Sequence, residues 1–204
     1  MLCDVTADSE RSSAEGAEPE LQLVLCALDG PLAAAWHGIA DGRPGLSVHQ
    51  GSVLDTQVDA VVSPANSYGW MRGGIDAMYA RAFPEVEEQV RSAVLAYHGG
   101  ELPVGEALLV PTGAPSPIWL ISAPTMREPG DALPADTVHP YLAARAVFRL
   151  WASAMLDNGA PVHQVVRSIA MPGLGTGIGG AAPELCAHQV AAAWDEVFAR
   201  VDLR

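Results

Sequence analysis

Apolar residues in this chain gather in short continuous runs rather than in strict alternation. Six of them read as strands: 21–27 (LQLVLCA), 46–50 (LSVHQ), 59–63 (DAVVS), 105–110 (GEALLV), 117–122 (PIWLIS) and 165–170 (VVRSIA). Runs without a polar face predict a sheet covered on both sides. Helical stretches lie between them. One is 30–40 (GPLAAAWHGIA), with Pro31 near its start. Another is 74–83 (GIDAMYARAF), followed by 84–100, where Pro84 suits a first turn and Gly99 a stop. The stretch 139–159 places Val147, Leu150, Trp151, Ala154 and Met155 along one face, with Gly159 closing it. A last helix starts near Pro183. Alternating strands and helices predict a layered α/β domain. No internal repeat or linker interrupts 21–204, so this span reads as a single domain. Residues 1–20 read as an acidic, disordered N-terminal tail.

Composition narrows the function classes. The chain has 204 residues, 50% of them hydrophobic, and a net charge of −13; its eleven basic residues are all arginine. That balance speaks against duplex nucleic acid, where cations on phosphates dominate affinity. Without lysine there is no Walker A loop. No apolar run has the length of a membrane span, and the N-terminus lacks a signal-peptide pattern. Cys3, Cys26 and Cys186 have unrelated spacings and form no metal pattern. They read as reduced thiols, two of them buried, in a cytoplasmic protein without a metal or cofactor. The six histidines are scattered singly and read as structural or surface residues.

The chemistry concentrates in glycine-rich strand ends. MPGLGTGIGGAAPE (171–184) holds five glycines in eight residues, between an apolar run and a helix. Gly175, Gly177 and Gly180 formally match GxGxxG, but one helix follows where a dinucleotide-binding unit needs a further strand with an acidic residue. The expectation that remains is backbone N–H groups offered to an anion. A second element, VDAVVSPANSYGWMRGGIDAMYARAF (58–83), ends a strand in SPAN and opens a helix after Gly73 and Gly74. Asn66 there carries both donors and an acceptor, suited to ribose hydroxyls. Trp70 reads as a loop anchor or an oligomer contact rather than a ligand stack. HQGSVLDT (49–56) is a third strand end, at Gly51.

In this order, together with VGEALLVPTGAPSPIWLISAPT (104–125), these elements resemble the macrodomain family over residues 46–199. The resemblance implies a three-layer α/β/α sandwich with a mixed central sheet of about six strands, and binding of ADP-ribose or an ADP-ribosylated protein. It implies that Ser52 stands where most members carry an aspartate for the adenine amino group, with Val53 beside the adenine. Asn66 would contact the distal ribose. Gly73, Gly74 and Ile75 would wrap the diphosphate and that ribose. Gly175, Thr176, Gly177, Ile178 and Gly179 would form the second phosphate loop. Many members have an aromatic residue at Gly179; its absence leaves that end more open unless Tyr68, Trp70 or Met71 fills the space. Asn66 and Asp76 match the pair that serves hydrolysis of ester-linked ADP-ribose in some members, while Ala80 replaces a histidine common there. Asp76 is thus either a catalytic base or a helix-start charge, and the chain either a hydrolase or a reader that recruits to ADP-ribosylated targets.

Overall fold

The computed structural model describes residues 21–198. The tail expected at 1–20, Cys3 and the last six residues lie outside the described residues. Six strands form one sheet: β1 (Gln22–Ala27), β2 (Leu46–Gln50), β3 (Ala60–Ser63), β4 (Leu108–Pro111), β5 (Trp119–Ser122) and β6 (Ser168–Met171). Their order is β2-β1-β6-β3-β5-β4. All neighbours run parallel except β4, which pairs antiparallel with β5 at the edge. The mixed sheet therefore brings five strand C-termini to one rim.

The helices are α1 (Gly30–Ala40), α2 (Gly74–Ala82), α3 (Val86–His98), α4 (His139–Ser153), a single turn α5 (Val162–Val165) and α6 (Pro183–Phe198). Two buried clusters show how they are layered. Leu23, Leu25, Val62 and Ile169 pack on α1, α4 and α6, around Trp36, Phe148 and Trp194. Cys26, Val61, Leu120 and Ala170 face the other way, onto α2 and α3, through Tyr79, Val86, Val90 and Val94. Successive residues of the inner strands alternate between the two clusters, which is why those strands are largely apolar, whereas edge strand β2 (LSVHQ) packs only Leu46 and Val48 on the first cluster. The architecture is the three-layer α/β/α sandwich.

Local signals explain most element ends. Asp29 caps α1 by accepting from Leu32 N at 2.8 Å, and Pro31 occupies the first turn. Gly99 ends α3 at φ 65°, a left-handed conformation in which a Cβ is disfavoured. Gly159 does not end α4, contrary to the sequence reading. The helix stops at Ser153, and Met155 bridges antiparallel to Pro161. Gly159, at φ 79°, turns this hairpin instead. Val147 and Trp151 are buried as the helical spacing predicts, whereas Met155 lies in the hairpin and is exposed. Residues 162–165, partly expected as strand, form α5 instead. β6 then begins where the Asp59 carboxylate accepts from the N–H groups of Arg167 and Ser168 at 2.8 and 2.9 Å.

Candidate functional site

A cleft of about 680 Å³ opens along the rim where the parallel strands end. Segments after β1, β2, β3, β5 and β6 all line it, the position where open α/β sheets hold ligands. Every residue expected at the site reaches this one cleft: Ser52, Val53, Asn66, Gly73, Gly74, Ile75, Asp76, Gly175, Thr176, Gly177, Ile178 and Gly179.

Two groups of unpartnered backbone donors belong to segments that line it. Among the described residues, the N–H groups of Gly175 through Gly179 donate to nothing. The loop is shaped from outside those donors: Ala181 N bonds Gly175 O at 3.0 Å, Gly180 N bonds Gly177 O at 3.1 Å, and Leu133 N bonds Gly179 O at 2.8 Å. The second group is the start of α2. Its N-cap is Gly73, with no side-chain cap, and first-turn N–H groups have no partner within a helix. Ile178 links the two loops, since its Cδ1 lies 2.9 Å from where a Cβ on Gly73 would sit.

The glycines of the late loop have different physical grounds. Gly175 has φ 70°, and a Cβ there would approach Leu133 Cδ1 to 2.6 Å. A Cβ on Gly179 would meet Gly175 O at 2.7 Å and Leu133 at 3.0 Å. Leu133, from the 125–137 loop, thus takes the space behind Gly179. Tyr68 and Met71 do not, since Met71 is buried in the α2–α3 core and Tyr68 bonds Glu128, whereas Trp70 lines the cleft from the other glycine loop. Gly177 has an ordinary φ, and a Cβ on it meets nothing within 4 Å. Neither backbone strain nor a neighbouring atom therefore opposes a side chain at Gly177.

Three polar residues have more local work than the sequence suggests. The Ser52 hydroxyl accepts from Leu54 N at 3.2 Å and caps a 3₁₀ turn at Val53–Asp55. Asp29, exposed and lining the same end of the cleft, is the carboxylate available there. Asn66 Oδ1 accepts from Tyr68 N at 3.1 Å and Trp70 N at 3.2 Å, while its Nδ2 donates to Trp70 O at 2.7 Å. Three of its four hydrogen-bonding capacities hold its own loop, which leaves one N–H for a ligand. The Trp70 ring carries the guanidiniums of Arg72 and Arg91, 4.1 and 3.6 Å from its centroid. Trp70 anchors the loop, and Arg72 is the cation lining the cleft.

Asp76 is neither a cap nor a solvated first-turn charge. It is 7% exposed and accepts from Ser63 Oγ at 2.6 Å. Burial pushes its carboxyl up to about 6, against the Ser63 hydrogen bond, which holds it down. Cys26 also lines the cleft, and Cys186 lies behind the late loop, where Leu174 N donates to its Sγ at 3.3 Å. Burial pushes both thiols up to about 12 and keeps them as neutral thiols. Further residues also line the cleft: Leu28, Asp29, Arg72, Thr125, Met126, Pro129 and Gly130. Asp29 could have been found from its place between a strand end and a helix-starting proline. The 125–130 segment carries no comparable mark.

Comparison with known proteins accords with this architecture. The family model described as Macro domain matches residues 62–190. An uncharacterised protein of Aeropyrum pernix is 35% identical over 150 residues, covering 72% of this chain and 69% of its own length. A macro domain-containing protein of Streptomyces griseus is 28% identical, covering 67% and 71%. Among solved structures, the macrodomain of Mycobacterium tuberculosis DarG superposes with a TM-score of 0.59 at 23% identity, covering 72% of this chain and 88% of that one. An Oceanobacillus iheyensis macrodomain variant with ADPR bound gives 0.57 at 14% identity, covering 87% and 78%. The sheet, the rim cleft and the matched model, which spans more than half of the chain, together make this protein a member of the macrodomain family.

Proposed function

We propose that the cleft binds ADP-ribose or an ADP-ribosyl metabolite and hydrolyses ester-linked ADP-ribose, as in mono-ADP-ribosylated carboxylates or O-acetyl-ADP-ribose. The observation that carries the reading is the convergence of two groups of open N–H donors on one cleft. Such donors suit a diphosphate in a protein that lacks lysine. Related structures holding ADP-ribose or ADPR support the choice of ligand. In this reading the diphosphate lies between the loop at Gly175–Gly179 and the start of α2. The purine lies toward Ser52 and Asp29, and the distal ribose toward Asn66 and Asp76. Asp76 takes a proton from the water that attacks the ester, the ester C–O bond breaks, and the products are ADP-ribose and the free acid. A buried carboxyl that ionises near neutral pH suits that role.

The reader alternative is favoured by one observation, the commitment of most of the Asn66 amide to its own loop. Incubation with a protein mono-ADP-ribosylated on a carboxylate separates the two readings. Release of labelled ADP-ribose, lost in Asp76→Asn, supports hydrolysis. Retention of the label on a tightly bound target supports the reader. Absence of both binding and release contradicts the proposal.

A further inference from the structure

Asp76 is held from one side. Among the described residues its carboxylate has a single side-chain donor, Ser63 Oγ, at 2.6 Å. Ser63 is the last residue of β3, is 1% exposed, and has Ser122 of β5 as its register partner. Alternation places both serines on the face of Val61 and Leu120, beneath α2. Ser122 Oγ, although buried, reaches no partner among the described residues. No relay therefore runs across the two strands, and the carboxylate depends on one hydroxyl. The titratable groups around it offer no compensating charge at close range. Tyr79, one turn along α2, donates to Val62 O at 3.0 Å and stays neutral, as does Cys26 of β1. Arg72 and Asp29 line the cleft but are exposed to solvent.

We propose that Ser63 is a positioning residue for the reaction assigned to Asp76: its hydroxyl fixes one carboxylate oxygen, turns the other toward the cleft and favours the ionised form. The proposal rests on Asp76 as the base, and it adds the residue on which that base depends. A hydroxyl donates more strongly to a carboxylate than to the neutral acid. Its loss therefore makes Asp76 harder to ionise, and activity moves to higher pH.

The test measures kcat and KM for O-acetyl-ADP-ribose hydrolysis from pH 5 to 8 in the wild type, Ser63→Ala, Ser63→Thr and Asp76→Asn. Alongside it, carbon-13 NMR follows the Asp76 carboxyl, assigned by its disappearance in Asp76→Asn. A hydrogen bond to a charged group corresponds to about one pH unit. The acid limb of kcat in Ser63→Ala should rise by that amount, with kcat at pH 6 reduced about fivefold by ionisation alone. KM should stay within about twofold of wild type, since the diphosphate contacts remain. Ser63→Thr, which keeps the hydroxyl, should restore the wild-type profile, and the NMR midpoint should move with the kinetic one. Superimposed profiles, or an unmoved Asp76 midpoint in folded Ser63→Ala, overturn the proposal. Wild-type turnover in Asp76→Asn would overturn the base assignment beneath it, and it is visible without any Ser63 variant.

Discussion

Replacing Asp76 with Asn should stabilise this protein at neutral pH and leave it unchanged in acid. The carboxyl ordinarily ionises near 3.8 and does so near 6 in the folded chain, chiefly because it is buried. Below about pH 3 it is protonated in both folded and unfolded chains, so burial costs no ionisation. Between about pH 3 and 6 the unfolded chain releases the proton while the folded chain keeps it, and stability falls. Above the folded value the loss is complete. Two pH units correspond to about 3 kcal/mol, and the open N–H groups at the start of α2 favour the charge enough to bring this to ~2–3 kcal/mol. Asparagine does not titrate, fills nearly the same volume, and can accept from Ser63 through Oδ1. Urea unfolding of both proteins at intervals from pH 4 to 8 reads the effect directly. The wild-type minus variant difference should be about −0.6 kcal/mol at pH 4, where the unfolded carboxyl has begun to ionise, and should fall by about a further 2 kcal/mol by pH 7. A difference flat to within about 0.5 kcal/mol, the usual error of additivity, would refute the view of Asp76 as a buried group that ionises late.

Four further outcomes follow from the cleft. Gly177→Glu should fold normally, because the position has an ordinary φ and open space around a Cβ, yet lose ADP-ribose binding through charge and bulk among the phosphate donors; wild-type affinity in the folded variant would reduce the loop to a turn. Gly175→Ala should lower stability by about 1–3 kcal/mol in thermal unfolding, since its φ of 70° and Leu133 both oppose a side chain. Affinity for ADP-ribose should change less than about threefold between 50 and 200 mM salt, because backbone dipoles rather than mobile cations hold the diphosphate; a steep loss would point to a cation-held phosphate. Asp29→Asn keeps a helix cap while removing the exposed carboxylate near Ser52, and should narrow the preference for ADP-ribose over its inosine analogue by about tenfold, as read by competition binding.

The inner strands are legible because both sheet faces are covered there, which leaves them as largely apolar runs flanked by glycine, proline or polar residues, while edge strand β2 (LSVHQ) shows an alternating pattern with no buried position. The glycine loops were legible because strand-to-helix turns rarely need so many residues without a Cβ. What was hidden depends on contacts between residues far apart in the chain. The strand order puts β6 between β1 and β3, a pairing no local pattern encodes. Gly159 suggested a helix stop because glycine marks left-handed backbone, and it serves that purpose in a hairpin instead. Leu133 supports Gly175 and Gly179 from more than forty positions away. Asp76 looked like a helix-start charge from its neighbours in sequence; its partner Ser63 lies thirteen residues earlier, at a strand end.

We propose that two groups of open backbone donors make one diphosphate site, with adenosine on one side and the distal ribose on the other. Calorimetric titration of the whole chain with ADP-ribose, and separately with AMP, tests it most directly. One ADP-ribose should bind per chain, and AMP at least about tenfold more weakly, because it lacks the second phosphate and the distal ribose. Equal affinity for AMP, or no binding of ADP-ribose at all, would contradict it.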